Sequence, residues 1–211
     1  MASLATLLAL ADSRLPTGGH VHSGGIEEAV IGGLVVDIGT LRAFLRRRIC
    51  SHGKVAASLA VAVHDGRLPV DTAEREADAR TPSAAVRRAS RSQGRGLIRL
   101  ARRVWASASW EAVGTTPHLA VAAGVVGAVS GVTPEQTAMQ VVYTTMTGSA
   151  TAGQRLLALD PADVASVTFE LSSLCEQAAA EACGGLADLS DPLLDQLAER
   201  HAARERPLFA S

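Results

Sequence analysis

The chain of 211 residues is 47% hydrophobic and 19% charged, a balance typical of a packed globular protein and not of a disordered one. Its formal net charge of −1 gives no global reason to expect nucleic acid or an anionic membrane as a partner. Aromatic residues make up only 3% of the chain, so we expect a core built from small aliphatic side chains.

Helices are predicted along most of the chain. The first four are expected at residues 2–11, 24–32, 40–64 and 71–79. Five later helices are marked by Thr or Asp directly before Pro, the pattern of an N-cap followed by a proline in the first turn, and begin at about residues 82, 117, 134, 161 and 192. No alternating stretch predicts a strand. The predicted fold class is therefore all-α, with one domain over residues 1–211 and about eight to ten helices in a bundle.

Three glycines, Gly124, Gly127 and Gly131, fall in the helix predicted after Pro117. A glycine inside a helix costs about 1 kcal/mol relative to alanine, so a compensating interaction is expected. Close contact with a neighbouring helix and a self-association face are both consistent with this spacing.

Cysteine usage and the N-terminal sequence bear on the cellular compartment. The three cysteines are an odd number without C-x-x-C spacing, which indicates neither a disulfide framework nor a zinc site. The N-terminus lacks the pattern of a secretion signal, and no run of about 18 apolar residues is free of polar interruption. We therefore expect a reduced, cytoplasmic protein that does not enter a membrane.

The stretch at residues 12–28, DSRLPTGGHVHSGGIEE, contains four glycines and two histidines close to the start of a helical protein. A phosphate-binding loop ends in Gly-Lys followed by Ser or Thr, but the single Gly-Lys pair of this chain, at residues 53–54, is followed by Val55. Glu27 and Glu28 also occupy the helical turn whose dipole an anion would use. A phosphate site is not expected in this stretch.

The same stretch offers metal ligands and candidate nucleophiles. His20 and His22 point in similar directions if the loop is extended, and imidazole binds nickel, copper and zinc. Two ligands are too few for a stable site, so a transient nickel contact, or a site completed by another chain, is the most that they predict.

Ser23 or Ser13 with His22 and Asp12 would not form a hydrolase site, because adjacent loop positions do not hold a nucleophile and a base in fixed geometry. The remaining interpretation is a rigid turn that docks onto another protein.

Arginines recur every fourth residue in the segment VRRASRSQGRGLIRLARRVW, at residues 86–105, with no acidic residue between them. Such a stripe is typical either of a solvated helix face or of a surface that meets phosphates or an acidic protein. The sequence favours neither interpretation over the other.

The chain ends with Leu208 and Phe209 beyond a charged helix. An apolar pair in this position either packs back on the core or is offered to a partner, and both possibilities stay open at the level of sequence.

Four segments together resemble the UreF family of urease accessory proteins, and the likeness spans nearly the whole chain. LADSRLPTGGHVHSGGIEEAV is similar to the N-terminal stretch of the family, and ASRSQGRGLIRLAR is similar to its arginine-rich central helix. GSATAGQRLLAL resembles its Gly/Gln segment. ERHAARERPLFAS is similar to its C-terminal ending, where His201, Leu208, Phe209 and Ser211 match.

The resemblance implies an all-α, non-enzymatic protein, often a homodimer, with no cofactor of its own. Such a protein bridges UreD (also called UreH) and the GTPase UreG, so that apo-urease receives nickel at the expense of GTP. Contacts with the GTPase are then expected at His201, Leu208 and Phe209, and also at Arg91 and Arg95. The complete set of expected partner-binding residues is Asp12, Ser13, Pro16, Gly18, Gly19, His22, Ser23, Glu27, Arg91, Arg95, His201, Leu208 and Phe209.

A DNA-binding transcriptional regulator is the alternative function. In an all-α repressor of this length, a basic helix-turn-helix would lie in the first fifty residues. In this chain that region holds the glycine-rich loop, and the basic helix lies in the middle of the sequence. A GTPase or hydrolase is a third class, for which no motif is present.

Overall fold

The computed structural model of the chain describes residues 4–17, 22–205 and 208–209. These residues contain no β-strand and form eleven α-helices: α1 (Leu4–Leu10), α2 (Ile26–Ile31), α3 (Ile38–Arg48), α4 (Lys54–His64), α5 (Val70–Ala79), α6 (Ala84–Val104), α7 (Leu119–Ser130), α8 (Pro134–Leu157), α9 (Pro161–Glu170), α10 (Ser172–Cys183) and α11 (Pro192–Ala202). A π-helical turn, Ile49–Gly53, joins α3 directly to α4. If α3, the π-helical turn and α4 are counted as one continuous helix, the described residues contain ten helices. The predicted all-α class is confirmed.

The helices α4 and α8 lie at the centre of the bundle. α4 packs against α7, α8 and α10, and α8 also packs against α2 and α3. Most of the buried side chains on α4 are alanine, valine and leucine, as the low aromatic content predicts. Small side chains allow helix backbones to approach closely, so the core gains contact area without large residues.

Two glycines of α7 mark such close approaches. A Cβ atom at Gly124 would lie 2.4 Å from the carbonyl oxygen of Ala60 on α4, and one at Gly127 would lie 2.2 Å from Oγ1 of Thr137 on α8. The third, Gly131, ends the helix with a φ of 78°. Contact between neighbouring helices within this chain therefore accounts for the first two glycines.

Three of the five predicted proline starts are confirmed. Pro134, Pro161 and Pro192 each stand at the beginning of a helix, after an N-cap Thr or Asp whose side chain accepts a backbone N–H. The other two predictions, at Pro82 and Pro117, are wrong by about two residues, because α6 begins at Ala84 and α7 at Leu119.

Contacts between helices explain both shifted starts. The hydroxyl of Ser83 accepts the N–H of Val86 and donates to Glu199 of α11, so Ser83 replaces the predicted Thr at the N-cap of α6. The hydroxyl of Ser90 on α6 accepts the N–H of Leu119 and so caps α7 from a neighbouring helix. The cap of α7 comes from another helix and leaves no local signal in the sequence, whereas the Ser83 cap of α6 is local and lies two residues beyond the predicted Thr81.

The predicted helix that begins at Pro161 is interrupted at Leu171, where α9 ends and α10 follows. Among the described helices, none combines the length and the apolar character needed to cross a membrane.

Candidate partner interface where the two chain ends meet

The short helix α2 receives the C-terminal segment of the chain. Glu27 of α2 is 1% exposed, and its carboxylate accepts the backbone N–H of Leu208 at 2.8 Å and that of Phe209 at 3.0 Å. His201 of α11 donates from Nε2 to the same carboxylate at 2.8 Å and is 2% exposed. We call these four residues the Glu27 site. One buried carboxylate thus joins residues that are more than 170 positions apart in sequence.

The pKa of Glu27 is set by two opposing influences. Burial acts to raise it, whereas the hydrogen bonds from Leu208, His201 and Phe209 act to lower it, and the net effect holds the pKa below its ordinary value. Glu27 is therefore ionised at neutral pH. The ionised carboxylate accepts stronger hydrogen bonds than a neutral acid would, which stabilises the attached segment.

A second ion pair lies beside the Glu27 site. Arg204 donates from Nε to Oε1 of Glu28 at 2.5 Å, and the Glu28 side chain is 7% exposed. Neither Glu28 nor Arg204 is among the partner-binding residues predicted from the sequence, because no local pattern links positions so far apart. Together, Glu27 and Glu28 attach both the end of α11 and the segment that follows it.

The last apolar pair of the chain is divided between the core and the solvent. The Phe209 side chain is half-buried and packs against the main hydrophobic core. The Leu208 side chain is 79% exposed, although its backbone N–H is bonded to Glu27. Of the two possibilities that the sequence left open, Phe209 packs on the core and Leu208 faces outward.

The turn before α2 depends on a glycine and a buried arginine. Gly24 has a φ of 62°, and its carbonyl oxygen accepts a hydrogen bond from the guanidinium of Arg48 at 2.5 Å. A Cβ atom at Gly24 would lie 2.7 Å from Cζ of Arg48. Burial lowers the pKa of Arg48 to about 10, so it stays charged at neutral pH. Next to it, Ser149 donates to the carbonyl oxygen of Ser23, which fixes the entry to α2.

The remaining loop residues have varied surroundings. Asp12 accepts the N–H of Arg14 at 2.8 Å, the local bond expected for a shaped turn, while Ser13 and Pro16 are exposed. Ser23 is fully buried and His22 is half-buried. The predicted residues Gly18, Gly19 and His20 lie outside the described residues. The described part of the chain holds no group of three potential ligands for a metal ion, and the contact predicted through His20 and His22 stays a prediction.

The two predicted arginines of α6 differ in their surroundings. Arg91 donates to Glu74 at 2.7 Å and to Asp78 at 3.0 Å, so its charge is used inside the molecule. Arg95 is exposed and forms no ion pair with any described residue. Only Arg95 of the two has its charge available to a partner.

Sequence comparison relates the chain to a known family. The sequence profile of the UreF family matches residues 35–172. Relatives named urease accessory protein UreF from Mycolicibacterium vanbaalenii, Mycobacterium marinum and Mycobacterium tuberculosis are 70%, 69% and 68% identical to the chain, each over 100% of both sequences. The chain belongs to the UreF family.

The family predicted from the sequence motifs is thereby confirmed. The family profile begins after Glu27 and ends before His201, so it covers neither part of the Glu27 site. The alignments with the three relatives extend over the whole chain and therefore include both parts.

The described residues also contain a hydrogen-bonded network with the order of a hydrolase triad, which the sequence did not reveal. His118 contacts Asp78 through Nε2 at 2.9 Å and Ser90 through Nδ1 at 3.0 Å. The Ser90 hydroxyl also accepts the N–H of Leu119, and His118 is 2% exposed. A catalytic serine needs access to substrate and donors for the developing oxyanion, whereas the Ser90 hydroxyl is bonded to the first residue of α7 and His118 is buried. We therefore assign this network the structural role of fixing the start of α7.

Proposed function

We propose that this UreF-family chain is a cytoplasmic, non-enzymatic scaffold that bridges UreD (also called UreH) and the GTPase UreG. The assembly would insert nickel into apo-urease at the expense of GTP. In this proposal the chain acts as a homodimer and has no cofactor of its own, and nickel is the cargo of the complex. The family membership supports a role in urease maturation, and the bridging role is the part that we add.

The attachment of the C-terminal segment at the Glu27 site is the observation that carries the proposal. Two backbone hydrogen bonds hold the segment in one position while the Leu208 side chain remains 79% exposed. A segment that is ordered before binding loses little conformational entropy when a partner docks, which favours recognition. We therefore assign contact with the GTPase to Leu208, and we assign the positioning of Leu208 to Glu27 and His201.

The N-terminal loop would supply the second contact of the bridge. Asp12, Ser13 and Pro16 would contribute its outer surface, and the buried Ser23 would only shape the turn. We assign Gly18, Gly19 and His22 to the same contact. Such loop elements on a rigid helical scaffold are a common way to position a binding surface.

Replacement of Leu208 by alanine tests the bridging role. Leu208→Ala keeps the backbone N–H that Glu27 accepts, so the segment stays attached and only the exposed side chain is lost. We expect binding to the GTPase to weaken about tenfold or more while binding to UreD is unchanged, as measured by co-purification and interferometry. Leu189→Ala, which shortens another exposed leucine, serves as the matched control.

Several results would contradict the proposal. If Leu208→Ala and removal of residues 208–211 both leave the GTPase bound as in the wild type, the C-terminal assignment is wrong. If the purified chain hydrolyses GTP or an ester by itself, or if urease matures normally in cells that lack the chain, the scaffold function itself fails.

A further inference from the structure

Three arginines of α6 form an exposed row. Arg95, Arg99 and Arg103 are spaced four residues apart, which places them along one face of the helix over about 12 Å at 1.5 Å per residue. Leu97 and Ala101 lie on the opposite face and are buried. All three arginines are exposed, and none has an ion pair or hydrogen bond with a described residue. We call them the arginine row.

Three further arginines of α6 form hydrogen bonds or ion pairs inside the molecule. Arg91 is bonded to two carboxylates of α5, Arg87 donates to the carbonyl oxygen of Thr81, and Arg102 donates to that of Val113. The same helix therefore uses these three arginines inside the molecule, whereas the exposed Arg88 and the arginine row have no ion pair or hydrogen bond with a described residue.

The charge distribution along the chain strengthens this contrast. Residues 79–110 contain eight arginines and no acidic residue, while residues 156–199 contain nine acidic residues and no basic one. Four of these nine acidic residues form ion pairs with basic residues from elsewhere in the chain: Arg42–Glu170, Lys54–Glu181, Arg80–Asp188 and Arg47–Asp191. No described residue forms an ion pair with the arginine row, so its positive field is directed at the solvent.

The N-terminal loop lies directly beside the row. A Cβ atom at Gly96 would lie 2.9 Å from Cα of Thr17 and 3.2 Å from the carbonyl oxygen of Pro16. Residue 96 must therefore be small for the loop backbone to rest on α6. The exposed Pro16 and the arginine row consequently belong to one surface.

We infer that the arginine row binds an acidic protein surface that presents carboxylates about 6 Å apart, the spacing of every fourth residue on a helix. Guanidinium groups pair with carboxylates in a planar, two-point geometry, so a row of them selects both charge and spacing. A protein partner is favoured over nucleic acid because the row is short and the whole chain has a net charge of −1. The inference rests on the proposed function in that the acidic surface belongs to one of the two accessory proteins that the chain bridges.

The test compares two double charge reversals in the full chain. Arg95→Glu/Arg99→Glu alters the row. Arg46→Glu/Arg75→Glu changes two exposed arginines on α3 and α5 and gives the same change in net charge. Each variant is titrated at low and high salt with three probes: a helical alanine-based peptide with glutamate at every fourth residue, the two accessory proteins, and a 20-base-pair DNA duplex. Thermal melts verify that both variants are folded.

We expect the row variant to lose about tenfold or more in affinity for the peptide and for one accessory protein, with a weaker dependence on salt, while the control matches the wild type. If the peptide binds the row variant as tightly as the wild type, the inference is wrong even when both accessory proteins bind. If neither accessory protein binds the wild type, the proposed function fails. The affinity for the peptide still tests, independently, whether the arginine row binds carboxylates. Tighter, row-dependent binding of DNA would overturn the assignment to a protein partner.

Discussion

Glu27 is a carboxylate that is 1% exposed and whose pKa is nevertheless lowered. The reason is that three donors from the C-terminal region converge on its two oxygens. A buried charge without such partners would be strongly destabilising, so the C-terminal segment and the ionised Glu27 depend on each other.

The variant Glu27→Gln tests this dependence. The glutamine amide has the same shape but turns an –NH2 group toward at least one donor, so we expect the free energy of unfolding to fall by about 1–3 kcal/mol. Urea denaturation at pH 7 measures the change. Glu176→Gln, at an exposed carboxylate with no ion pair among the described residues, should leave stability within about 0.5 kcal/mol of the wild type.

The pH dependence of the same variant provides a separate prediction. Because the pKa of Glu27 is lower in the folded state than its ordinary value of 4.5, its ionisation contributes stability above that value. This contribution is lost as the pH falls through the folded-state pKa. The difference in unfolding free energy between wild type and Glu27→Gln should therefore shrink between pH 6 and pH 3. A difference that stays constant over this range would show that ionisation of Glu27 does not stabilise the segment.

Gly24 and Gly33 form a matched pair for the turn before α2. Both have positive φ, 62° and 71°, but a Cβ at Gly24 meets the Arg48 guanidinium whereas one at Gly33 meets nothing within 4 Å. Backbone strain alone costs about 1–2 kcal/mol in either alanine variant. We expect Gly24→Ala to be the more destabilised of the two in urea unfolding. Equal losses would show that Arg48 adjusts without cost.

At the level of helices, local sequence predicted the starts at Pro134, Pro161 and Pro192 because the cap and the proline are adjacent in the chain. It did not predict the π-helical turn between α3 and α4. The hydrophobic pattern continues through that turn, so the sequence carries no signal for it. The extra residue of a π-helical turn changes only the direction in which the following side chains point.

Helix packing in the core leads to a prediction on two glycines. Gly124→Ala adds a Cβ 2.4 Å from a backbone oxygen of α4, so we expect a loss of about 1–3 kcal/mol despite the better helix propensity of alanine. Gly148 in α8 has no neighbour within 4 Å of such a Cβ, and Gly148→Ala should stabilise the protein by up to about 1 kcal/mol. Urea midpoints measure both changes. Stabilisation by Gly124→Ala would refute the close contact of α7 with α4.

For the whole molecule, the fold brings the C-terminal segment onto α2, the helix with which the N-terminal glycine-rich stretch ends. The N-terminal loop precedes that helix, and the C-terminal segment ends on it. The structure thereby places Glu27, from the N-terminal motif, against His201, Leu208 and Phe209 of the C-terminal motif.

Metal binding is a property of the whole chain that a titration can test. Because His20 and His22 are the only predicted ligands, calorimetric titration with Ni²⁺ should show weak binding at most. His20→Ala and His22→Ala should change it little. A tight site that is lost in His20→Ala would show that the loop binds nickel directly.

The sequence by itself determined the family, the all-α class and the helices whose caps are local, since these depend on residues a few positions apart. The tertiary structure alone decided that Glu27 binds His201 and the backbone of Leu208 and Phe209. It also decided that Arg91 is paired, while Arg95 has no ion pair with a described residue. The physical reason is the same in each case. Burial and partner choice depend on which helices pack together, and short-range patterns do not encode contacts across 170 residues of chain.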